Sequence, residues 1–156
     1  MEKNTEGSVK SCTCEQCVNC CKCRPGWMNP SQFYKIAKYL NMSVEEVFKK
    51  YFAIDWWVNF RSKDDPDSWG KDAYLIAPAI RGNEGGYYPQ TPSGVCSLLD
   101  VNNRCMIHPV KPKECAESFH GNFTDKESRR RRLQMVTRWQ SKRAQALIVR
   151  VLGREP

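Results

Sequence analysis

Nine cysteines stand in this chain, and seven of them fall into two tight groups, Cys14-x2-Cys17-x2-Cys20-Cys21 and Cys96-x8-Cys105-x9-Cys115. Cysteines separated by two residues present both sulfurs to one ion from a single turn. Thiolates select zinc or iron-sulfur clusters over hard, oxygen-loving cations. Cys14, Cys17, Cys20, Cys21, Cys96, Cys105 and Cys115 are therefore the expected metal ligands. The 74 residues between Cys21 and Cys96 mean that one site can draw on both groups only if the fold brings them together. Ligation then becomes part of folding, and structural zinc supplies on the order of 10 kcal/mol of apparent binding energy.

The cysteine count leaves the metal open. One zinc takes four ligands, so seven sulfurs exceed one site and fall one short of two; His108, shortly after Cys105, could complete a set of three cysteines and one histidine. Cys14, Cys17 and Cys20 also reproduce the first three positions of the bacterial ferredoxin run. There, however, Arg24 occupies the expected fourth cysteine position and Cys23 comes one early, although Pro25 is in place. Adjacent Cys20 and Cys21 diverge along most backbone conformations, so one of them serves a second metal or a resolving role. Cys12 and Cys23 lie outside the pattern as spare thiols.

A disulfide framework is the competing use of these residues. An odd cysteine number and the adjacent pair Cys20-Cys21 speak against it, as does the expected compartment. The first eleven residues, MEKNTEGSVKS, are polar and lack the apolar stretch of a secretion signal, and the longest apolar runs, such as Tyr74 to Ile80, are too short to span a bilayer. The expectation is a cytoplasmic protein with no membrane partner, whose thiols stay reduced.

The elements that must position these cysteines are partly legible. At 156 residues the chain suffices for one domain that buries roughly two-thirds of its unfolded surface. Asn29-Pro30 suits an N-cap and first helical position, with Phe33, Ile36, Ala37 and Leu40 at helical spacing, which predicts a helix near 30 to 40. Ser43-Val44-Glu45-Glu46 is a capping box with Met42 and Val47 as a staple, predicting a second helix from about 44 to 52 that buries Val47, Phe48, Tyr51 and Phe52. Periodicity does not separate strand from helix over Ala53 to Phe60. Ala73 to Ile80 has strand character, but Pro78 would break a central ladder, so the segment is expected to be an edge or an end before the Gly-rich stretch Arg81 to Gly94. Val95 to Leu99 and Cys105 to His108 read as short strands around an Asn102-Asn103 turn. Thr124-Asp125-Lys126-Glu127 is another capping box, and no proline or glycine follows before Gly153, which predicts one helix of roughly 25 residues with an apolar stripe of Leu133, Val136, Ala144, Leu147 and Val151.

The expected architecture is thus a small single-domain α+β fold: an N-terminal cysteine knot, a helical hairpin, a short β-hairpin and a long C-terminal helix. Residues 1–11 are expected to be a disordered N-terminus, 12–120 the metal-binding domain, and 121–156 a basic helix packed on it or extending from it.

The ordered set Cys14-Glu-Gln-Cys17-Val-Asn-Cys20-Cys21, Gly94-Val-Cys96-Ser-Leu-Leu, Arg104-Cys105-Met-Ile107-His108 and Lys111-Pro112-Lys-Glu-Cys115 resembles the YkgJ-type cysteine-cluster family. Its pattern runs C-x2-C-x2-C-C, then G-x-C-x-x-L, then C-x-I-Y-x-x-R-P-x-x-C. The resemblance covers about residues 12 to 120 and implies a zinc- or iron-chelating domain. His108 stands at the pattern's tyrosine, Lys111 at its arginine, and Ala116 where arginine often follows the last cysteine. Lysine keeps the charge at 111 but loses arginine's bidentate fork.

Charge adds a second theme. Residues 1–120 carry 15 basic and 14 acidic side chains, whereas 121–156 carry 10 and 3. Any pull on nucleic acid or an acidic protein must therefore come from residues 124–152, led by Arg129 to Arg132. Trp56, Trp57, Trp69, Tyr87 and Tyr88 are expected in the core or shielding the cluster. His120 has no nucleophile motif nearby, and the chain has neither a G-x-G-x-x-G nor a phosphate loop. Some relatives of the family are associated with protein lysine methylation, but no methyl-donor motif is visible. Metal binding with a structural, redox or metal-handling role is the expected function. A metal-stabilised docking module comes next, and a redox or methyl-transferring enzyme third.

Overall fold

The computed structural model describes residues 25–61, 67, 70–90, 92–117 and 125–156. Helix α1, Pro30–Tyr39, starts at Asn29, whose backbone N–H donates to the Gln32 side chain at 3.0 Å, and it buries Phe33, Ile36 and Ala37. Helix α2, Val44–Tyr51, starts at Ser43, whose side chain accepts from the Glu46 N–H while Glu46 reaches back to the Ser43 N–H. Both agree with the capping signals read from sequence.

Strand β1, Phe52–Phe60, follows α2 without a loop and pairs antiparallel with β2, Lys71–Pro78. The ambiguous aromatic segment is therefore strand. Pro78 sits at the end of the ladder, opposite Phe52, where its missing N–H costs no central bond. On the other edge of β1, Ile54 donates to Gly86 O and accepts from the Tyr88 N–H, both at 2.8 Å. Tyr88 is buried, and its hydroxyl donates to Pro78 O.

The predicted hairpin around Asn102-Asn103 is reduced to a turn and a bridge. Asn103 takes a φ of 59° and Leu99 pairs with Cys105. Each limb then folds immediately after its cysteine: Leu99 N–H donates to Cys96 O at 3.1 Å, and His108 N–H to Cys105 O at 3.3 Å. Those turns consume the backbone groups a longer ladder would use. A 3-10 turn, His108–Val110, and helix α3, Lys113–Glu117, complete this side.

The C-terminal segment is not the single helix expected. It is α4, Asp125–Trp139, and α5, Lys142–Leu152. Ser141 breaks it, extended at ψ 151° and accepting from the Ala144 N–H as an N-cap. Gln140 and Gln145 side chains cover the exposed carbonyls of Val136 and Trp139 at 3.0 and 2.6 Å. The break shifts the helical phase, so Leu133 is exposed, while Met135, Trp139 and Ile148 join Val136, Ala144, Leu147 and Val151 in the core. One buried cluster runs from Trp27 and the α1 and α2 faces through both strands to these helices. Among the described residues no helix is long and apolar enough to cross a membrane.

Candidate metal centre

Cys96 hangs on the end of β2. It bridges Ile80, and the flanking bonds Arg81 N–H to Val95 O and Ser97 N–H to Ala79 O, both 2.8 Å, fix its backbone. Gly94 is obligatory for this approach: its φ is +153°, and a Cβ there would collide with the Ile80 side chain. Cys96 itself is buried.

Cys105 faces Leu99 across the return limb, and Met106 N–H donates to Leu98 O at 2.8 Å. Burial pushes the Cys105 thiol above its usual value, while the Ile107 N–H bonding to the sulfur and the nearby Lys111 work the other way. His108 ends the same turn. Its Nε2 is buried and has no hydrogen-bond partner among the described residues. Burial, with Lys111 assisting, lowers its pKa, which favours the neutral imidazole.

Cys115 lies half-buried in α3 and is the point where the start of the described chain meets its middle. Gly26 packs directly on it, and a Cβ at Gly26 would stand 2.6 Å from the Cys115 sulfur. The next residue, Trp27, exchanges bonds with Glu114: Glu114 N–H donates to Trp27 O at 3.0 Å, and Trp27 N–H to Glu114 Oε1 at 3.2 Å. Arg132 of α4 closes this junction. Its guanidinium forks onto the Glu114 carboxylate with two contacts of 2.6 Å and lies 4.3 Å over the Trp27 ring. The indole N–H of Trp27 in turn donates to the buried Asp55 at 2.8 Å. Trp57 packs edge-on against Trp27, with Arg129 stacked on its ring.

Cys14, Cys17, Cys20 and Cys21, with Cys12 and Cys23, lie outside the described residues, as do Trp69, His120 and Thr124. Among the described residues no group of three or more histidine, cysteine or acidic side chains is arranged to hold a metal ion. Cys96 and Cys105 each begin a turn and Cys115 lies in α3, and among the described residues these three do not form a complete site. The donor chemistry fits zinc or iron all the same: soft sulfurs, a borderline imidazole nitrogen with no hydrogen-bond partner among the described residues, and a glycine where a side chain would displace a sulfur.

Residues 13–134 match the family model CxxCxxCC, described as "Putative zinc- or iron-chelating domain". The chain belongs to the CxxCxxCC family. No curated protein and no solved structure matches it. The CxxCxxCC match extends beyond the last cysteine into α4 and so takes in Arg132. Metal chelation by the cysteine-bearing segment is what membership supports.

Trp27, Glu114, Arg132 and Asp55 were not identified from sequence. Glu114 beside Cys115 was the one local hint. The pairing of Arg132 with a carboxylate 18 positions earlier leaves no periodic trace, and the arginine run reads as surface charge until its packing is known.

Proposed function

We propose that this protein chelates zinc or iron in a centre built from Cys14, Cys17, Cys20, Cys21, Cys96, Cys105 and Cys115, and that the centre fastens the N-terminal cysteine segment to the folded body. The observation that carries this reading is the junction of Gly26 and Trp27 with Glu114 and Cys115. Cys23 and Cys21 precede Gly26 by three and five residues. An extended chain covers at most ~3.6 Å per residue, so Cys21 is tethered within about 18 Å of a glycine that touches the Cys115 sulfur. The loop that separates the two cysteine groups in sequence is thus closed in space by contacts that need no metal.

Bound metal supplies a cross-link between thiolates and, if it is an iron-sulfur cluster, an electron-transfer centre. The chain's own part is to orient the sulfurs. The turns after Cys96 and Cys105 set two of them, and the Glu114–Arg132 fork holds the helix carrying the third. A cytoplasmic, reducing setting keeps these thiols available. Anaerobic purification followed by metal and sulfide analysis tests the reading: stoichiometric zinc, or iron with sulfide, lost in Cys115→Ser and Cys96→Ser, supports it. A metal-free protein that folds unchanged refutes it.

A docking role for residues 124–152 toward nucleic acid or an acidic protein rests on Arg130, Arg138, Lys142 and Arg143, which face solvent. Arg129 and Arg132 are engaged with Trp57, Trp27 and Glu114, which narrows the free basic surface. Binding to RNA or DNA that falls steeply with salt and is lost in the quadruple alanine variant of those four residues would support this role. Salt-independent or absent binding would remove the nucleic-acid version.

A further inference from the structure

His108 stands three residues after Cys105, and its backbone N–H closes the turn onto Cys105 O at 3.3 Å. Two donors at this spacing leave the same turn, as they do in two-cysteine metal turns. Its Nε2 is buried, and no described residue hydrogen-bonds it. Buried polar atoms in folded proteins are nearly always paired, so an unpaired one calls for a water, an ion or a ligand. Seven sulfurs are one donor short of two four-coordinate sites, and imidazole joins thiolates in three-cysteine, one-histidine zinc sites.

We propose that His108 Nε2 is a metal ligand alongside the sulfur of Cys105, at the position where the YkgJ-type pattern carries tyrosine. The inference rests on the metal-binding reading above and goes beyond it by assigning a donor outside the cysteine signature. A ligating Nε2 requires the proton on Nδ1, so the neutral imidazole must be held in that tautomer.

The chain has two histidines, His108 and His120, which makes the test direct. Wild-type protein is reconstituted with cadmium-113 and its histidine side chains are observed by NMR, using His108→Tyr for assignment. Scalar coupling between cadmium and the His108 imidazole is expected, together with zinc affinity at least tenfold weaker in His108→Tyr. Cadmium bound with no coupling to His108 would overturn this assignment and leave the cysteine centre standing. Failure of wild type to bind zinc, cadmium or iron at all would overturn both. If His108→Tyr does not fold, His120→Gln supplies the assignment and the spectrum still decides the question.

Discussion

Gly26 and Cys115 are packed so closely that a Cβ on the glycine would stand 2.6 Å from the cysteine sulfur and 3.0 Å from its backbone nitrogen. A side chain of any size at position 26 must therefore move a metal-ligand candidate or the helix that carries it. Gly26→Ala is expected to destabilise the metal-loaded protein by about 1–3 kcal/mol, as other overpacked sites do, and to weaken metal retention. Gly86→Ala meets only an ordinary contact at 3.6 Å and is the control. Urea midpoints and metal release to a chromophoric chelator read both effects; equal behaviour of the two variants would show that the Gly26 contact is not tight in solution.

The Arg132–Glu114 pair is mostly shielded, with side-chain exposures of 18% and 16%. Removing one partner leaves the other charge poorly solvated, so Arg132→Met and Glu114→Gln are each expected to cost on the order of 2–3 kcal/mol. The double variant should cost less than the two singles added together. Arg150→Met breaks the exposed pair with Glu45 and should leave the unfolding midpoint where it was. Additive losses at 114 and 132 would show that the fork carries no coupling.

Much of the fold was legible because its signals are local. The Asn29-Pro30 start and the capping box at Ser43 predicted α1 and α2, and the seven-cysteine order pointed to the family. The break at Ser141 carries neither proline nor glycine, and a serine cap needs neither, so the absence of both does not imply one continuous helix. On the two sides of that break Trp139 and Ile148 are buried in the core, and Leu133 is exposed. The clasp of Trp27, Glu114 and Arg132 joins residues far apart in sequence, where neither periodicity nor spacing carries information. His108 was visible as a candidate donor, but its unpaired Nε2 is a property of packing alone.

Ser141→Ala tests the helix break. Loss of the cap to Ala144 N–H should cost ~1 kcal/mol, and thermal unfolding should shift accordingly with helix content almost unchanged. A gain in stability would mean that a continuous helix is preferred and that Ser141 does not specify the break.

Metal binding should release protons. Burial raises the Cys105 pKa, so in the metal-free protein this thiol stays protonated at neutral pH and must lose its proton to ligate. Apparent zinc affinity should accordingly rise with pH up to the thiol's raised pKa and flatten above it. Isothermal titration in buffers of different ionisation enthalpy measures the proton count. An affinity that is flat from pH 6 to 9 would exclude thiolate ligation.

The most direct test of a metal-locked fold is a pair of thermal unfolding curves recorded anaerobically, before and after removal of metal with a strong chelator, with metal content assayed on the same samples. A metal centre that fastens the N-terminal segment predicts stoichiometric zinc or iron at the start, a large fall in the unfolding temperature on its removal, and recovery when the metal is returned. Identical curves with and without metal would contradict the central claim.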